Sequence, residues 1–475
     1  MAPLSALRSI WQAAGLPAGT LASVELTGAD PVLPSSFAVG TAAQVSFAAA
    51  ALAATEVGHL RNGLRQSVRI DMRHAALECT ARFLIDGRAP EAWDKLAGLY
   101  ACGPGGRDGP GGWVRIHTNF AHHRDGVLRL LGLPEGAGTE RDAVAQALAH
   151  WRADAFEQAA TDAGLVVAAL RRFDEWDAHP QAVVIAAEPL IAIERIGDAA
   201  PLALPALPAL PALLPSSRPL SSLRVLDLTR ILAGPVAGRM LAAYGAEVML
   251  VNAPHLPNIE AIADTSRGKL SAFADLRDSA GRDALRQVLR DAHVFVQGYR
   301  PGALAALGFA PADVAAVRPG IVYVSLSAYG ERGPWAGKRG FDSLVQCATG
   351  FNHAEGLAAG SDRPRALPMQ VLDMATGALM AFGAQAALLR QQREGGSWLV
   401  RVSLARTGQW LRELGRVPNG FSAPPANFTG LMETSASGWG ELTALRHAAV
   451  FSHTPAGWAR PSMPPGSHPL AWPAH

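Results

Sequence analysis

From Leu223 onward the chain alternates two apolar periods. Short runs rich in Val, Leu and Ile, at Leu223–Leu228, Glu247–Val251, His293–Gln297 and Ile321–Leu326, read as strands. Between them Pro235–Tyr244, Ala280–Asp291 and Pro311–Val317 carry apolar residues at helical spacing, with a further short helix around Ala303. Strand alternating with helix predicts an α/β fold with a doubly wound parallel sheet. A helical stretch Phe341–Ala348, a long apolar helix Met374–Arg390 and a strand Trp398–Leu404 follow.

The first half holds a comparable unit. An alanine-rich helix Ala42–Leu60, a basic turn with Gly63 and a strand Val68–Met72 mirror the long helix and its strand. An offset of 332 positions (373 − 41 = 332) sets Arg61 on Arg393, Gly63 on Gly395 and Arg69–Met72 on Arg401–Leu404. Pattern alone leaves true duplication and chance repetition in Ala-rich sequence equally open. Under duplication the counterpart of Asp373 is Thr41, which cannot serve as a carboxylate. Between the two units, Trp113–Pro180 opens with the strand-like WVRIHTNF and continues with helices Arg141–Arg152 and Ala153–Ala163, a small α/β or α+β module. Pro201–Pro219, PLALPALPALPALLPSSRP, can form neither helix nor central strand and reads as a semi-rigid linker. The expected division is 1–95, 96–200, the linker 201–219, 220–413 and a tail 414–475.

Composition narrows the classes. With 475 residues, 49% apolar and 17% charged, the chain is long enough for more than one hydrophobic core. The 42 basic residues nearly balance the 40 acidic ones without clustering on one segment, so neither a nucleic acid nor a membrane is expected as partner. Cys79, Cys102 and Cys347 are too few and too scattered for a disulfide framework or a zinc site, and no metal is expected. The first residues, Met1–Ala14, lack the apolar core and cleavage pattern of a signal peptide, and runs such as Val45–Ala54 are too short to span a bilayer. A cytoplasmic location is expected, in which the Asn427-Phe428-Thr429 sequon is a chance match.

Several residues suit chemistry, each with a plain structural alternative. Leu232-Ala233-Gly234-Pro235 closes a strand and opens a helix whose free N–H groups suit a phosphate, although a tight turn explains it as well. Arg267, Lys269, Tyr299 and Arg300 follow elements of the sheet, where they hold a polyanion or stack on a base, or are simply solvated charges. Asp373 precedes the long apolar helix, a position that an N-cap accounts for fully. The same placement keeps a carboxylate ionised by the helix dipole, ready to attack an activated acyl group. No GxSxG or HExxH pattern occurs, His117, His122 and His123 read as structural, and Cys102 has no base nearby.

In order, VLDLTRILAGP, SRGKLSAFADLRDSAGR, VQGYRPGALAALGF, GFDSLVQCATG and VLDMATGALMAFGAQAALL resemble the family III CoA-transferases, a group that includes formyl-CoA and carnitine CoA-transferases. The resemblance covers Leu223–Thr407. It implies a Rossmann-like large domain with a smaller α/β domain, interlocked homodimers, and acyl-CoA and carboxylic acid as substrates, with coenzyme A as part of the substrate and no permanently bound cofactor. It implies Asp373 as the nucleophile that forms a mixed anhydride and then an aspartyl-CoA thioester. It implies CoA contacts at Ile231, Leu232, Ala233, Arg267, Lys269, Tyr299, Arg300 and Asp342.

The match has departures. Gly112–Pro180 resembles the family's small domain and the tail from Trp439 its C-terminus, an order that suggests duplicated or permuted family segments. Asn252-Ala253-Pro254 stands where a Glu-Arg-Pro run is usual, Ala306 where an Arg is common, and Gly298 where an Asn is usual. The chain thereby lacks two side chains suited to holding CoA phosphates. In related α-methylacyl-CoA racemases a Gly-His-Asp run supplies a proton-shuttling His; here the run is Gly340-Phe341-Asp342, which favours transferase over racemase. The alternatives to an active CoA-transferase are an acyl-CoA racemase or lyase on the same fold, and a degenerate member that binds without catalysis. A chain carrying both units could be monomeric or a homodimer.

Overall fold

The computed structural model describes residues 1–103, 111–207 and 217–473. Its centre is a sheet of six parallel strands, β1 (Arg224–Leu228), β2 (Glu247–Asn252), β3 (Lys269–Phe273), β4 (Val294–Gln297), β5 (Val322–Ser327) and β6 (Ser397–Ser403). Their spatial order is 3-2-1-4-5-6, the doubly wound order, and a seventh strand, Ala192–Gly197, adds antiparallel to β6. The expected α/β, Rossmann-like sheet is therefore present. The strands are buried on both faces, which explains why they read as near-continuous apolar runs rather than alternating ones. Chain direction reverses its march between β1 and β4, and loops leaving neighbouring strands on opposite sides open a crevice there.

The two long helices coincide with the proposed repeat. Helix α1 (Val39–Asn62) and α4 (Val371–Glu394) each have 24 residues and start 332 positions apart (371 − 39 = 332). Each is followed by a strand and then a helix, starting at Met72 and Leu404 at the same offset. Both stop at glycine with positive φ, Gly63 at 73° and Gly395 at 66°, where a side chain would be strained. The Ala-rich face of α1 lets α4 approach closely, and Gln385 of α4 donates to the Ala50 carbonyl at 3.1 Å. α4 is long and apolar enough to cross a bilayer by length and composition, yet 94% of its apolar window is buried inside the protein. It is the core.

Segments on either side of the proline run are in contact. Residues 208–216 of that run lie outside the described residues, but its ends are held. Arg61 donates to the carbonyls of Pro205, Pro219 and Ser221, and Leu202 N–H donates to Gln391. Residues from before and after the run share one hydrophobic core, from Leu7 and Trp11 to Phe382 and Leu411. The tail also returns to the beginning: Ala449–Phe451 pairs with Val68–Asp71, and Gly440–Leu445 pairs with Phe83–Ile85. The small module is an antiparallel sheet of Gly98–Ala101, Trp113–Ile116 and Val167–Ala169 covered by helices, with its own core.

Where the N-terminal segment, sheet and tail meet, a buried charge cluster joins them. Arg239, 1% exposed, pairs with Glu78 at 3.2 Å and with Asp264, and Glu78 accepts from Ala448 N–H and faces His447. Burial alone would raise the Glu78 pKa, but His447 and Arg239 overcome it and hold it down at about 2. Removing one partner leaves the others charged without water. Arg239→Ala is expected to cost roughly 3–5 kcal/mol, read as a lowered midpoint in urea denaturation; a change below about 1 kcal/mol would refute the cluster's role in tying the three segments.

Candidate active site

The loop after β1 is where local backbone departs most from ordinary geometry. Ile231 has φ of 75°, a left-handed conformation that a β-branched residue adopts only when its surroundings impose it. Leu232, at φ −137° and ψ −63°, then starts α2 (Ala233–Ala243). Strain of this kind collects at functional turns. Two glycines make the approach possible: a Cβ on Gly377 of α4 would lie 2.4 Å from the Ala233 carbonyl oxygen, and one on Gly234 would lie 2.5 Å from Thr229. The first turns of α4 thus sit directly against this loop.

Around that meeting point lies a cleft of about 580 Å³, including its open mouth. Its wall is built from the loops after β1, β4, β5 and β6, at the carboxyl ends of the strands and at the switch point. Ile231, Leu232, Ala233, Tyr299, Arg300 and Asp373, all expected from the sequence, line it together. Phe341, which stands where related racemases carry a His, lines it too, as do Arg230, Lys338 and Arg339, which were not singled out. A signal for them existed in the clustering of Lys338 and Arg339 just before Gly340-Phe341-Asp342, but a sequence does not reveal which surface charges converge.

Asp373 is the only acidic residue in that wall among the described residues. The structure corrects its expected place. The helix begins at Val371, not after Asp373, so Gln370 is the N-cap residue and Asp373 lies in the first turn. The capping role passes to Asp342, at the start of α3 (Asp342–Ala348), whose Oδ2 accepts the Asp373 backbone N–H at 2.8 Å. Asp342 was expected to touch CoA; it is 0% exposed, also accepts from Gln346, and holds the backbone of Asp373 instead. With its amide satisfied elsewhere, the Asp373 carboxylate accepts no hydrogen bond from any described residue. It is available.

Its charge state also differs from the expected one. Burial, then the Asp342 charge, push the Asp373 carboxyl well above the usual carboxylate range, against the helix dipole. Burial pushes Asp342 up to about 7, with hydrogen bonds from Asp373 N–H and Gln346 pulling against it. Both carboxyls are thus pushed toward their protonated forms by burial, and the Asp342 charge adds to that push on Asp373.

Arg267 and Lys269, expected at the polyanion, are committed to the interior. Lys269 is 0% exposed and donates to Asp227 Oδ2 at 2.8 Å and to the Pro235 carbonyl at 2.8 Å, bracing the loop after β1 from behind. Arg267 pairs with Asp264 and Glu433, and its guanidinium lies 3.8 Å over Trp458. Both are spent on interior partners. Three other cations face the mouth: Arg230, Arg300 and Arg339 have no carboxylate partner among the described residues, and burial, then the Arg300 charge, lower the Arg339 pKa. Arg230 does spend one N–H on the Pro257 carbonyl.

No histidine lines the cleft among the described residues. His117 stacks behind Phe341 at 4.2 Å and His123 lies nearby; burial drives both down to about 3, leaving them neutral. The Thr41 end of α1 is closed by contrast: Asp30 accepts from the Thr41 N–H at 2.9 Å and hydroxyl at 2.8 Å, and from Gly40 N–H. Among the described residues no cluster of His, Cys, Asp and Glu suited to a metal occurs.

A raised carboxyl pKa binds its proton more tightly folded than unfolded, so stability is fully present below the ordinary carboxylate range and declines as pH rises through the raised value. Asp373→Asn removes that penalty. The variant is expected to be more stable than the native protein at about pH 8, by on the order of 1 kcal/mol, with the gap closing near about pH 4. Equal melting at both pH values would contradict a desolvated Asp373.

Residues 220–414 match the sequence model of CoA-transferase family III. An acyl-CoA transferase from Gibberella moniliformis is 30% identical over 423 residues, 81% of this chain and 72% of that protein. Mouse succinyl-CoA:glutarate CoA-transferase is 32% identical over 203 residues, 40% of this chain and 46% of that protein. In the latter case the chain spans less than half the relative's length. A solved structure of a hypothetical protein from Mycobacterium tuberculosis is 33% identical, covering 42% of this chain and 57% of the other, with a TM-score of 0.38.

Proposed function

Because the chain belongs to CoA-transferase family III, we propose that it moves CoA from an acyl-CoA to a carboxylic acid, with Asp373 as the covalent nucleophile. The observation that carries this is a single carboxylate, free of hydrogen bonds from the described residues, at the floor of a cleft whose mouth holds three cations without acidic partners among them. An anionic, elongated thioester fits that polarity. Its phosphates would lie toward Arg230, Arg300 and Arg339, which supply the positive charge that Ala253 and Ala306 do not. Backbone N–H groups of the Ile231–Ala233 turn, at the start of α2, would stabilise the thioester oxyanion.

The chemistry proceeds in balanced exchanges. Ionised Asp373 attacks the thioester carbonyl, and the C–S bond breaks to give a mixed anhydride and the CoA thiolate. The thiolate attacks the aspartyl carbonyl, releasing the donor acid and leaving an aspartyl-CoA thioester. The acceptor carboxylate attacks that thioester, forming a second anhydride and freeing the thiolate. The thiolate then attacks the acceptor's acyl carbon, giving the new acyl-CoA and regenerating ionised Asp373. No step needs a proton shuttle.

Asp373 must lose its proton before attack, and its raised pKa makes that loss the acid limb of activity. Burial and the Asp342 charge both oppose the ionised form. In the presence of hydroxylamine and a panel of acyl-CoAs, Asp373 is expected to be trapped as the hydroxamate and identified by peptide mass spectrometry. Asp373→Ala should lower transfer at least about 10³-fold, and Arg339→Ala should raise KM for acyl-CoA about tenfold with kcat little changed. Unmodified Asp373 across the panel would overturn the proposal.

A further inference from the structure

We propose that Gln181 is a positioning residue for the acyl-CoA cleft, with Glu157 as its second anchor. The inference rests on the reading of the cleft just given.

Residues 328–341, between β5 and α3, contain no helix or strand. Their two ends build the cleft: Ala328 on one side, and Lys338, Arg339, Gly340 and Phe341 on the other. A connection of this kind must satisfy its backbone polar groups without a ladder to join. Gln181, on the helix Pro180–Ala187 and 0% exposed, supplies that satisfaction at three points. Its Nε2 donates to the Tyr329 carbonyl at 2.7 Å and to the Arg332 carbonyl at 2.8 Å, and its Oε1 accepts the Trp335 N–H at 2.7 Å. A Cβ on Gly333 would lie 2.6 Å from that Oε1, so the loop is wrapped directly on the amide. One side chain thus takes three of the backbone bonds that a ladder would otherwise supply.

The second anchor acts closer to the cleft. Glu157, on the helix Ala153–Asp162, accepts from Lys338 Nζ at 2.8 Å and is itself paired with Arg171. Lys338 lies 3.9 Å over Trp335, whose N–H is the one that Gln181 receives. The two anchors therefore meet on neighbouring turns of one loop. Both come from the segment preceding the proline run, so the cleft wall carrying Arg339 and Phe341 is set in place by the same chain. Gln181 touches no cleft atom; it acts through the loop.

Gln181→Met keeps the volume and removes all three hydrogen bonds, leaving three loop groups unpaired. KM for acyl-CoA is expected to rise about tenfold with kcat within about twofold, because the loop contributes binding and not the nucleophile. Hydrogen exchange should quicken in residues 328–341 while α4 stays protected. Should Gln181→Met fail to fold, Glu157→Gln provides the milder test, with KM raised about threefold and the same local exchange. A folded Gln181→Met or Glu157→Gln with unchanged KM overturns the inference, as does exchange that quickens equally throughout the protein. Calorimetry of CoA with the native protein separates the two ideas: absence of binding there defeats the acyl-CoA reading, whereas binding that is insensitive to both variants defeats only the clamp.

Discussion

Helix α4 is buried on nearly every side, and that constraint governs the rest of the molecule. It packs against α1, α2 and the sheet, with glycines at the closest approaches, so its position has little freedom. A helix held in this way presents its first turn at one fixed point, which here is the crevice between β1 and β4. It also carries a cost. A carboxylate on that turn is taken out of water, with a second carboxylate, Asp342, serving the backbone beside it. Placement and destabilisation of Asp373 are consequences of one packing arrangement.

The distribution of charge follows from the same logic. Much of the interior charge is paired: Lys269 with Asp227, Arg239 with Glu78 and Asp264, Glu157 with Arg171 and Lys338. At the cleft most of the pairing stops, and of its basic lining residues Lys338 alone keeps a carboxylate partner among the described residues. Among the described residues, Asp373 stands alone on the floor and Arg230, Arg300 and Arg339 stand without carboxylates at the mouth. Buried pairs contribute cohesion between segments, whereas unpaired groups leave fields that a charged substrate can satisfy. Ile231 adds a backbone version of the same departure, a strained turn kept in place by the close approach at Gly377 and Gly234.

The two halves are not two independent bodies. α1 and its following strand and helix repeat the α4 unit, yet Thr41 is bonded to Asp30 where Asp373 is left open. One helix start is a closed structural end and the other an open site. The tail pairs with strands of the first segment, and Gln181 and Glu157, both ahead of the proline run, hold the loop that forms the cleft wall. Order along the chain therefore says little about adjacency in space.

Local periodicity was sufficient to read the strands β1, β2, β4 and β5, the helices between them and the 332-residue offset of the repeat, because strand and helix periods are written in neighbouring residues. The ordered motifs also singled out Asp373, Tyr299, Arg300 and the Ile231–Ala233 turn, since tight turns and helix starts demand particular residues. Tertiary structure alone decided which charges are spent. Arg267 and Lys269 look like any polar pair in the sequence, and only partners brought in by the fold, at Asp264, Glu433 and Asp227, turn them inward. It likewise decided that Asp342 rather than Asp373 caps α4, because that bond joins residues 31 positions apart. Arg230, Arg339 and Gln181 gained their places in the same way. Hydrophobic pattern is a local property of the chain, whereas burial and charge pairing are properties of its folded neighbours.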